Sequence, residues 1–234
     1  MKAIILAGGK GERLAPYTTI LPKPLMPLGD KPILDLIVRQ LKHHGITELT
    51  FAVGHLAELV MSYFEDGARL GVRIVYSRED EPLGTAGPIK LIDDPGERFL
   101  VMNGDVLTTL DFARMIAAHE ASGRSCTMPV CRRSLPSDVG VVEFGKDRLL
   151  TSYVEKPTYD VWVSMGIYVM ERRVVNFIPA GKKFDLPDLM RSLMQAGEQV
   201  HCYRFEDYWL DIGRPDDYAK AVADIQQLEP RLFQ

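Results

Sequence analysis

The sequence predicts an α/β fold, a layered and mostly parallel sheet with helices on both faces. Three observations carry that reading. Short continuous apolar runs such as Lys2–Ala7 read as strands buried on both sides, helix-periodic segments alternate with them as far as Ala121, and glycines close many of these segments. A chain of 234 residues, 46% apolar and 26% charged, has material for one such core and a solvated surface.

The elements follow in order. Lys2–Ala7 is stopped by Gly8-Gly9 and opens into a loop. Residues 31–44 read as a helix: Pro32 suits the first turn, Ile33, Leu34, Ile37, Val38 and Leu41 form one stripe, and Gly45 stands where a C-terminal cap belongs. Strands are predicted over Glu48–Val53, Val72–Tyr76 and Phe99–Met102, and helices over Leu56–Phe64 and Phe112–Ala121. Beyond Ser125 the pattern turns to shorter alternating strands at Cys126–Val130, Gly140–Phe144, Leu149–Glu155 and Trp162–Met170. Pro187–Met194 and Asp216–Leu228 read as helices. No repeat, low-complexity tract or linker interrupts the chain. Residues 1–234 are therefore read as a single domain, with a nucleotide-sized half over about 1–124 and a more irregular half over about 125–234.

Charge and cysteine usage exclude several classes. The net charge of −4 lacks the basic excess of a sequence-independent nucleic-acid binder. Cys126, Cys131 and Cys202 are odd in number and show no CxxC spacing, so a structural zinc site is not expected and reduced thiols of a cytoplasmic protein are. No apolar run approaches the roughly 20 residues of a membrane span. Met1–Ala7 is too short for a signal peptide. A soluble cytoplasmic protein with no nucleic-acid or membrane partner is expected.

The chemistry-bearing motifs begin with Leu6-Ala7-Gly8-Gly9-Lys10-Gly11-Glu12-Arg13-Leu14. Glycines after a buried strand let backbone N–H groups approach a phosphate chain, and Arg13 can pair with its oxygens. A P-loop would need Gly-Lys-Ser/Thr where Gly11-Glu12-Arg13 stands, and a dinucleotide fingerprint would need glycine at Leu14. Taken alone, the segment reads equally as a tight turn. In Pro22-Lys23-Pro24 two prolines stiffen the backbone around a lysine, which suits a fixed charge for phosphate, although a solvated loop lysine has the same appearance. Asn103-Gly104-Asp105 ends a central strand, where α/β proteins bind ligands. Asp211, in Trp209-Leu210-Asp211-Ile212-Gly213, is a second acid flanked by apolar residues. Two converging carboxylates would suit a magnesium ion that also holds phosphates, but each is equally a turn cap, and spacing alone does not pair them. Glu155-Lys156-Pro157 again sets a lysine against proline. His43 and His44 read as solvated residues of a last helical turn, and no serine has an acyl-transfer setting.

Taken in order, these segments resemble the sugar-1-phosphate nucleotidyltransferases, in particular the branch of mannose-1-phosphate and heptose-1-phosphate guanylyltransferases and related uridylyltransferases. Glu81-Pro82-Leu83-Gly84-Thr85-Ala86-Gly87 joins the motifs above, and the resemblance runs from residue 2 to about 218. It implies a Rossmann-like nucleotidyltransferase domain, magnesium dependence, and transfer of a nucleotidyl group from a nucleoside triphosphate to a sugar 1-phosphate with release of pyrophosphate. The implied place is in nucleotide-sugar and polysaccharide biosynthesis, and a homodimer is the assembly considered. By resemblance Leu6, Ala7, Gly8, Gly9, Gly11 and Arg13 hold the triphosphate, and Lys23 neutralises charge at the reacting phosphates. Gly84 and Thr85 line the base, Asp105 and Asp211 bind magnesium, Glu155 holds sugar hydroxyls, Lys156 the sugar phosphate, and Gly140 lies near the sugar. Arg13, Lys23, Asp105 and Asp211 form the expected catalytic set.

Two departures qualify the resemblance. Many relatives have asparagine where Ser164 stands, two residues before Gly166, and that asparagine contacts sugar hydroxyls. Many also append a left-handed β-helix domain, whereas this chain stops soon after its last helix, so regulation and assembly through that domain are not expected. Glu79 stands five residues before Gly84, where thymidine- and uridine-using relatives often carry glutamine, and Glu81 follows two residues on. A carboxylate accepts both N1–H and N2–H₂ of guanine, which favours GTP. The alternatives are a uridylyltransferase or another triphosphate specificity on a different sugar 1-phosphate, a nucleotide-sugar sensor without catalysis, and, disfavoured by Leu14, a dinucleotide oxidoreductase.

Overall fold

Strands that are apolar on both sides must be covered on both sides, and here they join one eight-stranded sheet. The computed structural model describes residues 1–233. Strands β1 (Lys2–Ala7), β2 (Glu48–Val53), β3 (Arg73–Arg78) and β4 (Arg98–Asn103) are parallel in the spatial order β4-β1-β2-β3. The irregular half adds β5 (Cys126–Pro136), β6 (Thr158–Ser164), β7 (Ile167–Glu171) and β8 (Val200–Arg204). β7 is antiparallel to both β4 and β5, β6 is antiparallel to β5, and β8 lies parallel along β5. The result is the mixed sheet expected of a Rossmann-like domain.

Alternation along the strands feeds two cores. On one side Leu100 and Met102 meet α1 (Ile33–His43), α2 (Ala57–Phe64), α3 (Phe112–Ser122) and α5 (Pro215–Leu228). On the other, Phe99 and Val101 meet Leu186, Leu189 and Leu193 of α4 (Leu186–Gln195). Pro32 stands just before α1 in extended conformation, not inside its first turn, and Gly45 follows it with φ 77. His44, read as solvated, is half-buried with its ring edge-on to Phe112, and burial lowers its pKa.

Three further departures from the sequence reading bear on the sheet and the site, besides strand β8, which no pattern in the sequence marked. The crossover from β3 to β4 is covered by the 3-10 segment Gly87–Leu91. The line Trp162–Met170, read as one strand, is β6 and β7 joined by a bulge. Ser164 faces Val130 while Val169 faces Thr127, so five residues advance on one side against three on β5. Gly166 takes up the difference with φ 71, a left-handed conformation that favours glycine, and its carbonyl accepts the Asn103 N–H at 3.0 Å. The third departure is a short antiparallel ladder of Val106–Thr108 with Trp209–Asp211, which neither segment's periodicity announces. No helix among the described residues is long and apolar enough to cross a membrane.

Candidate active site

The site lies where β4 and β1 end together. Gly104 donates its N–H to the Leu6 carbonyl at 2.9 Å, and a Cβ on Gly104 would stand 3.0 Å from that oxygen. A side chain there would press on the neighbouring strand end, so glycine eases the close passage of the two strand ends. Just beyond, the ladder of Val106–Thr108 with Trp209–Asp211 sets Asp211 opposite Val106, and the Ile212 N–H donates to the Asp105 carbonyl at 3.0 Å. Two aspartates from distant parts of the chain thus become neighbours.

Lys23 is buried, at 8% exposure, and its ammonium pairs with Asp105 Oδ2. The lysine opens a single 3-10 turn, Lys23–Leu25, that follows extended Pro22 and is closed by Leu25 N–H to the Pro22 carbonyl at 2.8 Å. The other oxygen of Asp105, Oδ1, is buried without a hydrogen-bond partner. Burial pushes the Asp211 carboxyl above its ordinary pKa, and the charge of Asp105 adds to this, while Lys23 and Arg13 oppose it. Arg13 packs over Gly213, where a Cβ would stand 3.4 Å from Nη2. Arg13, Lys23, Asp105 and Asp211 therefore form one cluster. The glycine two residues after Asp211 was a readable signal of that packing.

Around this cluster Gly8, Gly9 and Gly11 form an open loop. A Cβ on Gly9 would meet nothing within 4 Å, and Gly11, at φ 64, is fixed by the Thr18 hydroxyl donating to its carbonyl at 2.8 Å. Leu6 and Ala7 end strand β1, with Ala7 buried and Leu6 half-buried. Glu79, at the end of β3, fills a slot made by two glycines. Its Oε1 would lie 2.9 Å from a Cβ on Gly54, it also faces Gly8, and Oε2 accepts the Leu83 N–H at 2.9 Å. Glu81 is exposed.

Gly84 and Thr85 are laced to the start of α4. Gly84 has φ 79, and a Cβ there would stand 2.6 Å from Asp185 Oδ1. Thr85 donates its N–H to Asp185 at 2.9 Å, and its hydroxyl accepts the Leu186 N–H at 2.8 Å. Sequence reasoning missed this lock, which commits the polar atoms of Thr85 to holding the loop against the helix.

On the other side Gly140 lies against Tyr153 and Glu155, and the Tyr153 hydroxyl donates to Glu155 Oε2 at 2.9 Å. Lys156 is exposed and held at φ 46, a left-handed conformation that a non-glycine residue adopts at some cost. Ser164 Oγ lies 3.1 Å from the Tyr168 hydroxyl, beside the Gly166 bulge. Grooves of about 480 and 510 Å³ lie elsewhere, beside Leu91 to Asp94 and beside Arg172 and Arg173.

A family model described as nucleotidyl transferase matches residues 2–228 of the chain. The chain is 34% identical to a UTP–glucose-1-phosphate uridylyltransferase of Synechocystis sp., over 98% of this chain and 64% of that protein. It is 36% identical to a mannose-1-phosphate guanyltransferase of Schizosaccharomyces pombe, over 93% of this chain and 62% of that protein. It thus spans slightly less than two thirds of the length of these relatives. Among solved structures, a Bacillus anthracis protein in complex with a sucrose superposes with a TM-score of 0.77 at 25% identity, over 95% of this chain and 94% of that one. HddC from Yersinia pseudotuberculosis shares the fold with a TM-score of 0.75 at 24% identity, over 96% of this chain and 99% of that one.

Proposed function

This chain belongs to the nucleotidyl transferase family, and from that premise we propose that it transfers a nucleotidyl group, guanylyl in the first instance, from a nucleoside triphosphate to a sugar 1-phosphate and releases pyrophosphate. The observation that carries the reading is the convergence of Asp105 and Asp211 beside buried Lys23 at the end of β4. A pure binder has no need of a buried lysine against two carboxylates.

An oxygen of the sugar phosphate attacks the α-phosphorus, the new P–O bond forms, and the bond from the α-phosphorus to the α,β-bridging oxygen breaks, so that pyrophosphate leaves with the electron pair. A phosphate monoester has a second pKa of about 6 and needs no general base near neutral pH. Positioning and charge neutralisation remain for the protein to provide. The glycine loop receives the triphosphate, Arg13 pairs with its oxygens, and Lys23 faces the charge that moves toward pyrophosphate. Gly140, Glu155 and Ser164 wall the sugar, with Lys156 at its phosphate.

Asp105 and Asp211 fit magnesium. Their donors are hard oxygens, one oxygen of Asp105 is buried without a partner, and burial beside a second carboxylate raises the Asp211 pKa. No group of three or more His, Cys, Asp or Glu able to hold a metal occurs among the described residues, so phosphates and water would complete the shell. When bound, the ion supplies charge neutralisation at the phosphates. We place the protein in the cytoplasm, in keeping with three cysteines free of disulfides.

Pyrophosphate release from GTP, UTP, ATP and dTTP with a panel of sugar 1-phosphates in magnesium tests the proposal, and no release from any pair would refute it. Glu79, held in the glycine slot, is the base-reading group. A good bidentate contact gives about 1–3 kcal/mol of discrimination. GTP is therefore expected to exceed UTP by at least about tenfold in kcat/KM, and Glu79→Gln to shrink that ratio while leaving magnesium dependence unchanged. Relatives named for either base make the second reading a uridylyltransferase, and a wild-type preference for UTP would select it. Lys156→Ala is expected chiefly to raise the KM for the sugar phosphate. A change confined to the triphosphate KM would exchange the roles of Lys156 and Lys23.

A further inference from the structure

Strand β5 outruns β7 and β8, and its part beyond Val130 pairs with β6 alone among the described strands. Trp162 of β6 faces Arg132 of β5, whose guanidinium carbon is 6.0 Å from the indole centroid. Arg204, at the end of β8, approaches the same ring to 5.4 Å. Val130 pairs with Ser164 on one side and Arg204 on the other, so the period of two sets Arg132, Trp162, Arg204 and Ser164 on one face. Two residues, roughly 6–7 Å of strand, separate Ser164 from Trp162.

The cluster is accessible and cationic. Trp162 is 45% exposed. Asp160 lies 3.4 Å from Arg132 and also accepts the Ser134 hydroxyl at 2.6 Å. Arg204 has no ion pair among the described residues, which leaves two guanidiniums against one carboxylate on a protein of net charge −4. Like charges gathered on one exposed indole repel unless an anion joins them. A guanidinium stacked on an aromatic face keeps its N–H fork free and oriented for a carboxylate or phosphate.

We propose that Arg132, Trp162 and Arg204 form a subsite for a second anionic group on the acceptor sugar, so that the preferred acceptor is a sugar 1-phosphate bearing a further carboxylate or phosphate. The inference rests on the reading of Ser164 as part of the sugar wall. It differs from a purely structural role, in which the two arginines only stiffen the pairing of β5 with β6.

Calorimetric titration of the full chain with mannose 1-phosphate, mannuronic acid 1-phosphate and mannose 1,6-bisphosphate, and with the corresponding glucose series, tests it. At least one doubly anionic sugar is expected to bind at least about tenfold more tightly than its parent. The two doubly anionic arms tell carboxylate from phosphate. R132Q/R204Q is expected to remove that advantage and leave the parent affinity unchanged, and R204Q, which breaks no ion pair among the described residues, is expected to remove part of it should the double variant not fold. Equal affinities within both series, an advantage undiminished in R132Q/R204Q or in R204Q alone, or no binding by any doubly anionic sugar would overturn the subsite. Charge-dependent binding without pyrophosphate release would instead refute the transferase reading and leave the subsite standing.

Discussion

Asp105→Asn and Asp211→Asn are each expected to lower turnover by at least about 10²-fold, the scale for losing one preorganised electrostatic element, while the protein stays folded. The two variants should differ in stability. Asp211 has its pKa raised by burial first and by Asp105 second, so its ionised form is disfavoured in the folded chain. A carboxyl whose folded pKa exceeds its unfolded value holds its proton better when folded, and the stability it contributes is lost as pH rises from the unfolded pKa through the folded one. Metal-free Asp211→Asn is therefore expected to melt no lower than wild type at neutral pH, and to lack that pH-dependent loss. Asp105→Asn removes the partner of buried Lys23 and should melt lower. Melting curves against pH, with chelator and then with magnesium, together with pyrophosphate release, read all of this. Near-wild-type turnover in both variants would refute the shared-ion assignment.

Much of this arrangement was legible in the sequence because it is local. The strand Lys2–Ala7 with its glycine stop, the stripe of α1 and the C-terminal end of β4 each follow from neighbours in the chain. The meeting of Asp105 and Asp211 was not legible. It depends on a three-residue ladder between Val106–Thr108 and Trp209–Asp211, too short for any period to show, and on Ile212 finding the Asp105 carbonyl. The same holds for the lock of Thr85 on Asp185, formed across 100 residues of sequence. The Gly166 bulge was missed for a different reason. Apolar residues on both sides of Met165-Gly166 sustain a strand reading through the break, and only pairing with both β5 and β4 reveals the change of register. Glu79 was named from its chemistry, but its slot between Gly8 and Gly54 is a property of three strand ends meeting.

Lys23→Ala is expected to lower kcat by about 10²–10³-fold, as removal of an oriented donor at developing charge does, with smaller changes in either KM. The reason is the position of the ammonium. It is buried and already committed to Asp105 Oδ2, so it has little freedom to reorganise as charge shifts toward the leaving pyrophosphate. The variant also frees that oxygen beside Asp211. Two carboxylates without a counter-charge attract a divalent cation more strongly, so the magnesium concentration for half-maximal activity should fall even as kcat falls. A lysine that merely held the loop in place would behave differently, with stability lost and the magnesium requirement unmoved. Lys23→Met, which keeps the length of the stem and removes the charge, separates the two. It should restore the packing lost in Lys23→Ala without restoring kcat. Recovery of kcat in Lys23→Met would make the residue a spacer, and would return the neutralisation of the leaving group to Arg13 and the glycine loop.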